Sequence, residues 1–267
     1  MLIVTDGAVD VPEVLLGSPT LRQVPGTVWA GEAPFVGERS ELWSQLRKGV
    51  YPSTTPPTVS ALVEAYSHSD VVVALHVSGD LSATVARARE AAKRVTSRVE
   101  VVDTRSLSVG AGLIVAAVHR VQRGSEDPAV INFALSLPAR LHTFALVQDV
   151  ESLRRSDRAG LLPHNHLVRN HPLVLAVRGR AIPLNQPKHR SRAINDLLQH
   201  LQRITTHELG AWALGHGDAS DVEPIIEHLS EALGCTPAFS AGLDPTVAAH
   251  LGPDSIVVGA ITGTVEV

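Results

Sequence analysis

Apolar positions along the chain fall into two alternating periods. Residues 2–4, 71–77, 99–102 and 143–147 are short, largely apolar runs that read as strands, and 71–77 has the pattern of a strand buried on both faces of a parallel sheet. Between them, Leu42, Trp43 and Leu46, the segment ending at Tyr66, and residues 85–95, 114–121 and 128–137 place apolar side chains at helical spacing. Residues 24–29, interrupted by Pro25 and Gly26, read as an edge strand, because proline cannot donate to a ladder. Strand and helix alternate, which implies an open α/β sheet. The charged segment 148–158 reads as a helix leaving this first unit.

Beyond Gly160 the pattern changes, and a boundary is placed there. Residues 173–177 and 180–184 flank Arg178 and Gly179 as a hairpin. A helix over 193–204, a strand over 211–214, a helix over 219–233 opened by Asp221, a short strand over 236–239 and an apolar stretch over 256–260 complete the reading. Two units are therefore expected, 1–159 and a smaller 160–267.

Composition narrows the possibilities. Hydrophobic residues make up 44% and aromatic residues only 3%, so thin aliphatic side chains either fill an ordinary core or line a long channel. A net charge of −4 without a long basic run leaves no electrostatic footprint for nucleic acid. The single Cys235 excludes an internal disulfide and a cysteine-based zinc site. No basic region followed by a long apolar run opens the sequence, and the apolar stretch 109–118 is too short to span a bilayer. The expectation is a cytoplasmic protein without a transmembrane segment.

Chemistry concentrates at strand ends. After the run 71–77, Ser78, Gly79, Asp80, Ser82 and Thr84 crowd hydroxyls and a carboxylate ahead of a helix. Such a turn can hold an anion, or Ser78 or Asp80 can simply cap the helix. Asp6 either meets a ligand or ties its loop to its own backbone. Three prolines stiffen residues 51–58; Thr58 or Ser60 can cap the next helix, whereas Thr54 and Thr55 lie too far upstream and are either ligand donors or solvent-exposed. His164, His166 and His171 read as loop histidines, so no metal site is expected, and His76 reads as a structural hydrogen-bonding group. The sequence has no G-x-x-x-x-G-K-[ST] loop, no G-x-G-x-x-G fingerprint and no carboxylate cluster for magnesium ions. Two rival readings are a stand-alone acyl hydrolase using Ser82 or Ser78 with His250, which lacks a G-x-S-x-G elbow, and a nucleotide-binding protein by analogy of topology.

Several separated motifs together resemble the DegV family. Thr5, Asp6, Gly7 and Asp10 follow its T-D-S-x-x-D pattern, and Thr54 to Pro57 its T-S-Q-P loop. His76, Ser78, Gly79, Leu81, Ser82, Ala83 and Thr84 are similar to H-x-S-S-x-L-S-G-T. Asp103, Thr104, Ser108, Gly110 and Gly112 match D-S-x-x-x-S-x-G-x-G, and His250, Gly252 and Pro253 match H-x-G-P. The resemblance implies a two-domain α/β fold: a Rossmann-like N-terminal domain with a parallel sheet, and a smaller C-terminal α/β domain with a mixed sheet. It also implies one long-chain fatty acid in a tunnel between them, with Thr54, Thr55, Ser78, Ser82 and His250 at the carboxylate and Arg158 in support.

By the same resemblance the bound acid is the ligand and no cofactor is needed. A separate ATP-dependent fatty acid kinase catalytic subunit would phosphorylate the acid for bacterial phospholipid synthesis, and this chain would not catalyse the transfer by itself. Lys188, Arg190 and Arg192 resemble the family's basic K-x-R-T-R segment, either a docking face for that kinase or a solvated charged face. Two departures stand out. Gly79 and Asp80 replace a Ser-Gly pair, so Asp80 should repel an anionic head unless it points outward. Ser156, Asp157, Arg158 and Ala159 replace G-G-R-I, and Arg158 either orients the head group or pairs with Asp157 or Glu151.

Overall fold

In the computed structural model, which describes residues 1–148, 150–155, 171–204 and 208–267, four strands come first: β1 (Leu2–Asp6), β2 (Leu21–Val24), β3 (Thr27–Ala30) and β4 (Ala33–Pro34). They are followed by α1 (Arg39–Arg47), β5 (Ser53–Thr55), α2 (Val59–Tyr66), β6 (Val71–His76), α3 (Thr84–Ala92), β7 (Arg98–Asp103), α4 (Ser108–Val121) and α5 (Asp127–Ser136). The remainder comprises β8 (Leu141–Val147), α6 (Val150–Arg155), β9 (Leu173–Arg178), β10 (Arg180–Asn185), α7 (Arg190–Ile204), β11 (Leu209–His216), α8 (Val222–Leu233), β12 (Phe239–Gly242), α9 (Pro245–Leu251) and β13 (Ile256–Thr262).

The first sheet is parallel, in the order β2-β1-β6-β7. Its chain runs from β1 to one neighbour and later returns on the other side as β6. The loops after β1 and β6 therefore diverge and leave a crevice at the strands' carboxyl ends. The second sheet has the order β10-β9-β8-β13-β11-β12 and is antiparallel except between β11 and β12. A small antiparallel sheet, β4-β3-β5, lies beside the crevice. A parallel sheet in the N-terminal part and a mixed sheet in the C-terminal part are the α/β architecture expected.

Side chains alternate across both sheets and produce five layers. Leu2, Val4, Val72 and Ala74 face outward onto α2 and α3. Ile3, Val73, Leu75 and Val102 face inward onto α4, together with Leu141, Ala145, Leu175 and Val257 of the second sheet. The opposite face of that second sheet, including Phe144, Val174, Trp212 and Val258, packs under α7 and α8. Helix α4 is thus enclosed between two sheets, which explains why it is apolar on every side. Its glycines permit this closeness: a methyl group at Gly112 would lie 1.9 Å from the Asp10 carbonyl oxygen, and one at Gly259 would lie 2.6 Å from the Gly110 Cα.

Some expectations need correction. Strand β8, read from sequence as part of the first unit, pairs with β13 and β9 of the second sheet. A short run buried on both faces looks the same in either sheet. Residues 24–29 are two strands: the chain leaves the parallel sheet at Pro25 and Gly26, and β3 joins the small sheet instead. Thr54 and Thr55, read as an extended loop, belong to β5. Helix α4 starts at Ser108 rather than near residue 114, and the strand expected over 236–239 begins at Phe239. The boundary residue Gly160 lies outside the described residues. Among the described residues, no helix is long and apolar enough to cross a membrane.

Candidate functional site

A cavity opens at the carboxyl ends of β1 and β6. Its polar lining comes from the loops of the first sheet, β5 and α9: Asp6, Thr54, Thr55, Ser82, Thr84, Thr246 and His250. Its apolar lining comes chiefly from the inner face of the second sheet and the elements beside it, including Leu107, Ala145, Leu153, Leu175 and Val177. Among the described residues, no Lys or Arg lines it.

Hydroxyl groups are fixed around its polar wall. Pairing of Val28 with Thr54 positions β5, and the Thr54 hydroxyl lies 2.8 Å from His250 Nε2. When Nε2 carries the proton and donates to Thr54 Oγ1, the Thr54 proton is free to point into the cavity. Thr55 Oγ1 accepts from the Trp29 indole N–H at 3.0 Å, which leaves its own proton free as well. Arg87 Nη1 donates to the carbonyls of Pro56 and Pro57 at 2.8 and 3.0 Å, binding this loop to α3. Ser82 Oγ accepts from the Thr84 N–H at 3.3 Å and lies 2.8 Å from the Thr84 hydroxyl.

Helix α9 brings in Thr246 and His250. Its start is capped by Asp244, whose Oδ1 accepts from the Thr246 N–H at 2.8 Å and the Thr246 hydroxyl at 2.6 Å. Asp10 ties this start to the rest of the fold, accepting from the Asp244 N–H at 2.8 Å and the Ser108 hydroxyl at 2.5 Å. Burial pushes the Asp10 carboxyl up to about 7; the Ser108 hydrogen bond opposes the rise and the neighbouring Asp244 adds to it. Burial likewise raises Asp244 above the usual carboxylate range.

Asp6 lines the cavity, but its oxygens already have partners. Oδ1 accepts from the Ala8 N–H at 3.0 Å, and Oδ2 accepts from the Val77 N–H at 3.0 Å and from His76 Nδ1 at 2.9 Å. The Tyr66 hydroxyl lies 2.9 Å from His76 Nε2, and burial, then the Asp6 charge, raises the phenol above its ordinary value. This buried Asp6-His76-Tyr66 chain braces the crevice by holding the ends of β1 and β6 together.

Of the sequence-predicted residues, Thr54, Thr55, Ser82 and His250 meet at one cavity. Ser78 does not line it: the residue is buried, and its hydroxyl donates to the Gly179 carbonyl in the β9–β10 turn. Asp80 is exposed and lies against Gly179 outside the cavity, so the repulsion feared from sequence does not arise at the polar wall. Arg190 makes a two-point pair with Asp221 at 2.7 and 2.8 Å and donates to the Asp254 carbonyl at 2.6 Å, pinning α7 to the start of α8. That pairing lowers the Asp221 carboxyl. Arg192 is 64% exposed along its side chain and pairs with Asp196 at 2.9 Å. Arg158, with Ser156, Asp157, Ala159, His164 and His166, lies outside the described residues.

Sequence reasoning missed Thr246 and gave Thr84 only a place in the turn. The Asp244-Pro245 step, a cap followed by proline at the first helical position, announces α9 and could have located Thr246. For the hydrolase reading, Ser78 is committed to Gly179, while His250 Nε2 faces Thr54 rather than a serine. Among the described residues, no three His, Cys, Asp or Glu side chains converge as a metal site.

Comparison with known proteins bears on the whole chain. The family model described as "Uncharacterised protein, DegV family" matches residues 1–263. A DegV domain-containing protein of Deinococcus radiodurans is 31% identical over 219 residues, 78% of this chain and 77% of that protein. One from Mycobacterium tuberculosis is 26% identical over 268 residues, 97% of this chain and 96% of that protein. Among solved structures, a DegV family protein from Thermus thermophilus, described as fatty acid binding, superposes with a TM-score of 0.88 at 26% identity, covering 98% of this chain and 99% of that one. A stearic acid-binding protein from Eubacterium ventriosum superposes with a TM-score of 0.89 at 18% identity, covering 98% of each, a likeness of fold.

Proposed function

The chain belongs to the DegV family, and from that premise we propose that it binds one long-chain fatty acid in the crevice cavity and presents the carboxylate to a separate kinase subunit. The observation that carries this reading is the meeting of Thr54, Ser82 and His250, from three distant parts of the chain, on one largely aliphatic cavity. The Thermus thermophilus relative, described as fatty acid binding, supports the ligand class.

Affinity comes from the tail and orientation from the head. Burying a methylene contributes about 0.8 kcal/mol, so a chain of some sixteen carbons contributes on the order of ten kcal/mol before the costs of association. A carboxylate withdrawn from water is unfavourable by several kcal/mol unless it is hydrogen-bonded, and the Thr54, Thr55 and Ser82 hydroxyls offset this. Hydroxyl donors leave the carboxylate oxygens nucleophilic, whereas a bidentate arginine would engage both. Arg158 is assigned a supporting role beside the head group. An ATP-dependent kinase docking on the basic face around Arg192 would supply the phosphoryl group in the bacterial cytoplasm, feeding phospholipid synthesis. Arg190 holds that face in place through Asp221.

Titration of delipidated protein with palmitate or oleate tests the reading. Replacing Thr54 and Ser82 together by alanine is expected to weaken binding by roughly tenfold to a hundredfold, as loss of hydrogen bonds to a charged group predicts, without changing the melting temperature of the unliganded protein. Unchanged affinity and unchanged phosphorylation in that variant would show that the head group lies elsewhere.

A further inference from the structure

On the other side of the β9–β10 turn lies a second pair of clefts. Thr104, Arg105, His142 and Arg178 help line one; Asp80, Arg105, Arg178, Arg180 and Ile182 line the next. They share Arg105 and Arg178 and so form one continuous surface. We propose that this surface is a binding site for a phosphate group.

Charge is the first argument. Arg178 and Arg180 stand directly opposite each other across the hairpin, an arrangement that like charges oppose. Arg105 adds a third guanidinium, against the one carboxylate of Asp80. The nearby Asp103 lines neither cleft: its Oδ1 accepts from the Arg105 N–H at 2.8 Å, and both its oxygens lie 3.3 Å from the Gly79 N. Among the described residues, none of the three arginines forms an ion pair. Guanidinium forks match the oxygens of a phosphate, and three of them around one cleft favour a dianion over a single carboxylate.

The cluster is also held in place. Arg105 has φ of 54°, a left-handed conformation that a non-glycine residue rarely adopts. Its carbonyl accepts from the Gly179 N–H at 2.6 Å, its Nη2 lies 3.5 Å from the Arg178 carbonyl, and Ser78 holds the same turn by donating to the Gly179 carbonyl. Beside Arg178, His142 Nδ1 is buried without a hydrogen-bond partner among the described residues. Val177 belongs to the walls of both this cleft and the fatty-acid cavity, but none of the head-group residues does. The proposal therefore stands or falls independently of fatty-acid binding.

Calorimetric titration with inorganic pyrophosphate, and sedimentation with vesicles containing phosphatidic acid, test the site and separate a free ligand from a lipid head group. Wild-type protein is expected to bind one of these probes, and Arg178→Ala with Arg180→Ala to weaken that binding by roughly tenfold or more, as loss of charge-assisted contacts predicts. Both side chains are exposed, so the melting temperature should hold. Pyrophosphate binding that depends on the arginines supports a free phosphorylated ligand. Arginine-dependent vesicle binding alone supports a lipid phosphate. Binding of neither probe, or binding that survives the double substitution, overturns the proposal.

Discussion

On the proposed function, the direction of one proton decides how a fatty-acid head group would be held. Thr54 has a single hydroxyl hydrogen, and it points to a ligand only while His250 donates to the same oxygen. His250→Ala is therefore expected to weaken fatty-acid binding by roughly tenfold, the effect of losing about one charged-group hydrogen bond, whereas His250→Gln, which can still donate, should recover part of it. Equal losses in the two variants, measured by competitive displacement, would remove the histidine from the network. Asp10 makes a separate prediction. An unfolded aspartate releases its proton near 3.8 and the buried native one near 7, so Asp10 favours the folded chain fully at low pH, and that contribution disappears as pH rises through 7. Asp10→Asn keeps a neutral group in place. Its thermal stability relative to the wild type should rise between pH 5 and 8, toward a ceiling of roughly 4 kcal/mol at about 1.4 kcal/mol per pH unit. A difference that does not change with pH would refute the assignment. At this scale the motif resemblance grouped Thr54, Thr55, Ser82 and His250, and the four line one cavity. Ser78 was not, because a turn hydroxyl facing a ligand and one facing Gly179 look the same in sequence.

Two helices set the positions of these groups. Helix α4 is clamped between the sheets, and its small residues are where backbone meets backbone. Gly112→Ala would place a methyl group 1.9 Å from the Asp10 carbonyl oxygen and is expected to destabilise the fold by about 3 kcal/mol, the upper range for overpacking. Gly124→Ala, with nothing within 4 Å, should be nearly neutral. Comparable melting temperatures for the two variants would mean that the packing can yield. The first turns of α4 were read as loop because Gly110 and Gly112 suggest flexibility when their neighbours are unknown. Helix α9 was overlooked although Asp244, Pro245 and Gly252 mark both of its ends, because its seven residues are too few for a periodic signal.

At the scale of the whole molecule, the cavity lies where two sheets face each other across a single layer. The strand–helix alternation made the parallel sheet and its carboxyl-end crevice legible in the sequence. The partners of β8 were not, because hydrogen bonding between distant strands leaves no local trace. A ligand that fills this layer should couple to global stability. Fatty acid at a hundred times its dissociation constant is expected to stabilise the folded chain by about 2.7 kcal/mol, seen as a concentration-dependent rise in melting temperature. An unchanged melting temperature at saturating acid would place the ligand outside the layer. The most direct measurement is native mass spectrometry of the purified, undelipidated protein, followed by denaturation and lipid extraction. The account predicts one long-chain acid per chain, released on unfolding. A protein that emerges empty and takes up neither palmitate nor oleate would contradict it.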